Sequence, residues 1–330
     1  MAPLKPYNIL MDNIESLLLT GASGFVGQSI LDYLSEIPSD YLPKRIALTT
    51  RTGSFPIPDS LKKKTSITEI YCDLLEPWSF DFSASHVINL AADGSENAYS
   101  ENAALIFTEI SKNLGNWCRT QNMPTVFHAS SGACYGRFSP SRLTQSYDKK
   151  NEMTNGGQGG IDKKATFIKS RVAAEDYLKF MAEEGHLNLR IGRLFSFIGR
   201  HLQHKQQYAI PTFVRMAKIN KKIEISGNPL TTRSYLSTAD MADWIYRSVG
   251  SNVSNGTFNI GSSRPVTMIE LANFIAEKSD ARVALLHPEA EADYYVANNE
   301  STIERLRVTE TKSWQELLTE YMHIDGNERV

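Results

Sequence analysis

Residues 16–27, SLLLTGASGFVG, narrow the choice of fold more than any other stretch of the chain. Leu17 to Thr20 form a short apolar run with the length and composition of a parallel strand buried on both faces. The run breaks at Gly21, and apolar residues resume at helical spacing with Phe25, Val26, Ile30, Leu31 and Leu34. A strand therefore passes straight into a helix through Gly21, Gly24 and Gly27. Gly21 suits the tight turn, Gly24 lets an anion approach the backbone, and Gly27 lets the helix lie close to the strand. The helix N-terminus then offers unpaired N–H groups to a phosphate. Ser23, Phe25 and Val26 complete this candidate dinucleotide cradle.

Length and charge limit what surrounds it. At 330 residues the chain has room for one doubly wound unit and a smaller second one. A net charge of −2, with no basic run longer than Lys62–Lys64, gives no footprint for nucleic acid. The three cysteines stand singly, which speaks for a reducing compartment and against a disulfide or zinc framework. No apolar run approaches the ~20 residues that span a bilayer. His201 and His204 have no nearby carboxylate in sequence, so no metal site is expected. A soluble cytoplasmic protein without membrane partner is the expectation.

The glycine spacing G-x-x-G-x-x-G after Thr20 resembles the extended short-chain dehydrogenases/reductases, the NAD-dependent epimerase/dehydratase family. The order of motifs down the chain is similar to that family from about residue 16 to 322. Strand two is expected at Arg45–Thr50. A carboxylate at its end would take the ribose 2′-OH of NAD, whereas a basic residue accommodates the 2′-phosphate of NADP. The chain has Thr49, Thr50 and Arg51 there, so NADP is expected, with NAD as the alternative. Strand three, Thr68–Cys72, leads to Asp73-Leu74, where the resemblance implies an acid beside the adenine. Strand four, His86–Leu90, runs into Ala91-Ala92, with Asn89 where the family reads H-x-A-A. A helix over Glu101–Arg119 carries Asn102, which the resemblance makes a brace of the site.

Strand five, Thr125–Ala129, delivers Ser130-Ser131-Gly132-Ala133-Cys134-Tyr135-Gly136, close to the family's S-S-x-x-x-Y-G. Ser131 matches the hydroxyl that the family places on the reacting sugar oxygen. Gly132 and Ala133 stand where the sugar dehydratases carry Asp-Glu. The glycine-rich stretch 156–160 follows no strand and reads as a lid or linker. The next helix, Ala165–Glu184, should hold Tyr-x-x-x-Lys. Ser170 and Glu175 fix the register, and the chain places Phe167 for the tyrosine and Arg171 for the lysine. Phenylalanine has no proton to exchange, and arginine stays protonated.

Strand six, Leu187–Ile191, precedes Arg193 in a stretch similar to R-x-F-x-x-x-G-P, where the family crosses to substrate. Gly227 to Tyr235 resembles G-D-G-x-x-x-R-D-F, making Arg233 the expected grip on a nucleotide diphosphate. Ser237 should cap a helix to Val249. Phe258–Gly261 should be a further strand, and Thr267 with Glu270 a capping box.

The expected fold is α/β: a Rossmann-like doubly wound parallel sheet with a smaller interleaved α/β substrate domain. Residues 1–192 form the dinucleotide-binding part and 193–330 mainly the nucleotide-sugar part, with 237–261 returning to the first. The resemblance implies an epimerase, dehydratase or 4-ketoreductase of nucleotide-sugars serving surface-polysaccharide biosynthesis, as a homodimer. Phe167 keeps a second expectation open, a member that binds dinucleotide or nucleotide-sugar without redox turnover.

Overall fold

The computed structural model describes residues 14–51, 53–92, 99–136, 163–202, 208–250 and 253–327. The glycine stretch 156–160 and His204 lie outside these. β1 (Ser16–Thr20) feeds α1 (Phe25–Glu36), and β2 (Arg45–Thr50), a short α2 (Asp59–Lys62), β3 (Ser66–Tyr71) and β4 (His86–Asn89) follow. Next come α3 (Glu101–Cys118), β5 (Thr125–Ser131), α4 (Lys163–Glu183) and β6 (Asn188–Leu194). The chain continues through β7 (Ser196–Ile198), α5 (Ala209–Asn220), β8 (Lys222–Ile225), β9 (Thr232–Ser237), α6 (Thr238–Ser248) and β10 (Gly256–Ile260). It closes with β11 (Pro265–Thr267), α7 (Met268–Ser279), β12 (Arg282–Leu285), β13 (Tyr294–Tyr295), α8 (Glu300–Leu306) and α9 (Trp314–Asn327).

Among the described residues seven strands make one parallel sheet in the order β10-β6-β5-β4-β1-β2-β3. Alternation along β1 explains why the sheet is covered twice. Leu17 and Leu19 enter one core with Ile30, Leu34, Trp244 and Ile245. Leu18 enters the other with Leu114, Trp117, Leu178 and Met181. Each of these leucines is fully buried, about 2 kcal/mol of transfer free energy apiece. The chain order reverses between β1 and β4, so the carboxyl ends of those strands open the crevice where doubly wound sheets take ligands.

The helices start and stop for local reasons. α1 ends one residue before Ile37, which is extended at ψ 154 because Pro38 follows it. Ser237 Oγ accepts from Asp240 N at 2.8 Å to open α6, and Thr267 with Glu270 forms the capping box of α7. β5 and β6 run further than their apolar cores, to Ser131 and Leu194, because their ladder continues through Ser130–Arg193 and Ser131–Leu194.

A second sheet, β11-β9-β13 with β7 against β9, stands beside the first. Its core, with Phe213, Val214, Leu271, Ile275 and Leu318, is separate, and Phe25 of the glycine turn packs against both. Segment 238–260 rejoins the large sheet: β10 pairs with β6, and α6 lies on α1. There Tyr33 donates to Asp243 Oδ1 at 2.7 Å, and Arg247 Nε reaches the same oxygen at 2.8 Å.

Candidate active site

The glycine turn is built by exclusion. Gly21 has φ +68, and a Cβ on it would stand 2.9 Å from the Leu90 carbonyl. A Cβ on Gly27 would stand 2.3 Å from Gly21 O, so only hydrogen fits where α1 crosses the turn. Gly24 occupies the N-cap of α1 without a side-chain cap, and the first turn holds no acidic residue. Ser23 and Gly24 are exposed, while Phe25 and Val26 are half-buried. The helix thus presents its partial positive end unanswered by any side chain of its own, which suits an anion.

At the outer edge, Arg51 and Asp73 follow neighbouring strands and are exposed. Asp73 Oδ1 accepts from Leu75 N at 3.0 Å, and the Leu74 carbonyl takes the Trp78 indole and the Asn113 amide, both at 3.1 Å. Asn102 is exposed on the first turn of α3. Ala91 is buried, with its N–H directed at Thr20 Oγ1, and Ala92 is exposed.

Beneath the turn lies a buried polar chain that composition does not announce. Thr20 Oγ1 donates to Asn89 Oδ1 at 2.5 Å, and Asn89 Nδ2 donates to His128 Nδ1 at 3.0 Å. Asn89, a departure from the family's histidine, therefore ties β1, β4 and β5 together. The His128 proton must then sit on Nε2, which is buried without a partner among the described residues. Burial holds the ring neutral, its pKa pushed down to about 4.

At the end of β5, Ser130 and Ser131 part company. Ser130 Oγ donates to Glu175 Oε1 at 2.7 Å. Ser131 is half-buried, accepts from Ala133 N at 3.2 Å and hydrogen-bonds the Tyr295 phenol, which also donates to Leu194 O at 3.2 Å. Arg193, expected at the substrate, is not open to one. It is a buried strand residue whose Nε and Nη2 donate to the two Glu175 oxygens at 3.0 and 2.7 Å, and it stacks over Tyr135 at 4.4 Å. A fully buried carboxylate leaves its arginine little freedom to do anything else.

On α4, Phe167 and Arg171 share one face, as residues four apart must. The Arg171 guanidinium lies between two rings, 3.4 Å from the centre of Phe107 and 4.3 Å from that of Phe167. It is buried, donates to Ser170 Oγ at 3.4 Å, and has no carboxylate partner among the described residues. Burial pulls its pKa down to about 10, which still leaves it cationic at neutral pH. Tyr99 also packs on Phe167, ring centres 5.1 Å apart, and Lys169 is exposed.

Arg233 is half-buried on β9. Nη1 donates to Thr232 O at 2.9 Å and Nη2 to Asp293 Oδ2 at 3.1 Å, with Lys164 Nζ 3.8 Å from the same oxygen. Two cations thus share one carboxylate. Sequence spacing could not have found Tyr99, Lys164, Asp293 or Tyr295, which come from three separate segments. Among the described residues no cluster suits a metal ion, and no helix is long and apolar enough to cross a membrane. A cleft of about 700 Å3 between α1 and residues 56–59, where Asp32 holds Arg200 and His201, contains none of these groups.

No curated protein matches the chain significantly. Several solved structures share its fold. UDP-N-acetylglucosamine 4-epimerase from Methanobrevibacter ruminantium, in complex with UDP-N-acetylmuramic acid, is 20% identical, with a TM-score of 0.76 over 96% of this chain and 100% of that one. UDP-glucose 4-epimerase from Thermus thermophilus, in complex with NAD, is 19% identical, with a TM-score of 0.71 over 94% and 99%. A tyrosine-to-phenylalanine mutant of UDP-glucuronic acid 4-epimerase from Bacillus cereus, in complex with UDP-4-deoxy-4-fluoro-glucuronic acid and NAD, is 16% identical, with a TM-score of 0.71 over 94% and 99%. The sequence profile of one family matches residues 17–261, from β1 to the end of β10. On that match the chain belongs to the NAD dependent epimerase/dehydratase family.

Proposed function

We propose that the chain binds a nicotinamide dinucleotide beside a nucleotide-sugar and interconverts a sugar hydroxyl and ketone, in the manner of an epimerase or 4-ketoreductase. The observation that carries this reading is the glycine turn at the switch point of the sheet, where a Cβ on Gly27 would meet Gly21 O and the first turn of α1 holds no acid to repel an anion. Gly21, Gly24 and Gly27 would hold the pyrophosphate, Ala91 and Ala92 would let the dinucleotide lie close, and Asp73 would face the adenine. The bound nicotinamide supplies a hydride acceptor or donor. Ser131 orients the sugar oxygen, and the Arg233–Lys164 pair supplies charge for the diphosphate. Arg171, cationic and held between Phe107 and Phe167, adds a positive field at the ribose end.

Arg51 supports a preference for NADP, because its guanidinium is exposed at the end of β2 and pairs with no carboxylate among the described residues. Titration with both reduced dinucleotides tests this. NADPH is expected to bind the more tightly, and Arg51→Ala should weaken it about tenfold, the scale of one charge-assisted hydrogen bond, while leaving NADH alone. Equal affinities, unmoved by the substitution, would assign NAD instead.

Phe167 favours a second reading, binding without redox turnover, since it puts a bare ring where the family has a phenol. Incubating the protein with each dinucleotide and a panel of UDP-sugars separates the two. Interconverted sugar supports the enzyme, whereas tight binding of both ligands with no product supports the binding protein.

A further inference from the structure

A site with phenylalanine at position 167 must find its exchangeable proton elsewhere, and the groups around it can be taken in turn. Tyr135 is buried, its hydroxyl donating to Asn259 Oδ1 at 2.8 Å. Tyr295 is held by Leu194 O and Ser131, and burial pushes its phenol well above the usual range. The Cys134 thiol is buried against Ser130, its pKa pushed up to about 11. His128 lies inside the sheet, and Arg171 keeps its proton.

Tyr99 differs from all of these. Its ring packs on Phe167 at 5.1 Å, and no hydrogen bond to a described residue ties its hydroxyl. It is 49% exposed, so a ligand could reach it. It interacts electrostatically with Arg171 and with Tyr295, the partner of Ser131. Ser100, the next residue, caps α3 by accepting from Ala103 N at 3.0 Å, which fixes the backbone entering the helix. The phenol thus belongs to a ring packed on that of Phe167, whose other ring contact is the Arg171 guanidinium.

We propose that Tyr99 is the catalytic residue that exchanges the proton of the sugar hydroxyl, replacing the phenol missing from position 167. As a hydride leaves the ring carbon for the dinucleotide, the O–H bond of that carbon's hydroxyl breaks. Its electron pair completes the C=O bond, and the proton passes to the Tyr99 phenolate; reduction returns both. This inference rests on the redox reading above.

The test compares the unsubstituted protein with Tyr99→Phe, Phe167→Tyr and the double variant, using the dinucleotide and UDP-sugar that it turns over. Tyr99→Phe should lower kcat ~100-fold or more, while KM and dinucleotide affinity change little. The pH profile of kcat should lose one ionisation, and ultraviolet difference titration should lose the matching tyrosinate signal. Phe167→Tyr should restore turnover in the Tyr99→Phe background, which a merely structural tyrosine would not allow. Tyr208, 51% exposed and electrostatically coupled to Tyr99, is the competitor. Turnover and pH profile unmoved by Tyr99→Phe, or lost instead in Tyr208→Phe, would overturn the assignment while leaving the redox reading intact. No turnover by the unsubstituted protein with dinucleotide bound would overturn the redox reading, and this assignment with it.

Discussion

The two ends of the crevice are built from different materials. At the glycine turn the work is done by main chain and by missing atoms, with Gly27 under Gly21 O and a helix end that no side chain of its own caps. At the end of β5 and on α4 it is done by charged and aromatic side chains gathered from distant segments. The first arrangement tolerates little change, because any added atom collides. The second can be rewired, because a guanidinium can be stacked or paired, and a phenol can come from one segment or another. Against the motifs that the resemblance implies, one end of the crevice carries all three glycines, and the other carries Phe167 and Arg171 where tyrosine and lysine are expected.

The largest expected effect tests how much of the rewired end is scaffold. Glu175→Ala would leave Arg193 and Ser130 buried without their shared carboxylate, and should cost about 3–5 kcal/mol of stability by chemical denaturation. A cost under about 1 kcal/mol would show that the cluster is hydrated and loose. Next, Gly27→Val should cost about 3 kcal/mol and abolish dinucleotide binding, because backbone rather than a flexible side chain fills the space. Unchanged calorimetric binding would break the contrast between the two ends.

The smallest effect probes the chain of hydrogen bonds between them. His128 binds its proton near pH 6.5 when unfolded and only at about pH 4 when folded. The unfolded chain therefore takes up more protons as pH falls between these values, and stability declines. The loss should reach about 2 kcal/mol by about pH 5, and His128→Phe should flatten that part of the profile. An identical acid profile in the variant would place the titration elsewhere.

Much of this was legible in local pattern. Leu17–Thr20 followed by three glycines gave β1, the turn and α1, and Arg45–Thr50 was the second strand to the residue. Thr267 and Glu270 announced their capping box, since both partners lie within one turn. The four-residue α2 and β12 left no trace, being too short to show a period. In the site, register placed Phe167 and Arg171 on one face, but nothing local shows that Phe107 supplies the second ring. Arg193 looked open to substrate because its partner, Glu175, is on another element, and only the extended β5–β6 ladder brings Ser130 beside both. Tyr99 carries no motif at all, and its meaning comes from Phe167 beneath it.

The return of residues 238–260 to the large sheet bears on how far the molecule can be divided. The sheet's last strand, β10, and the helix whose Asp243 receives Tyr33 are both made after the chain has already crossed to the second sheet. A fragment stopped after β7 would expose the flank of β6 and strip α1 of the partners for Tyr33, Ile30 and Leu34. The large sheet is therefore not separable by truncation, and synthesis must pass residue 260 before α1, and with it the glycine turn, has its full support.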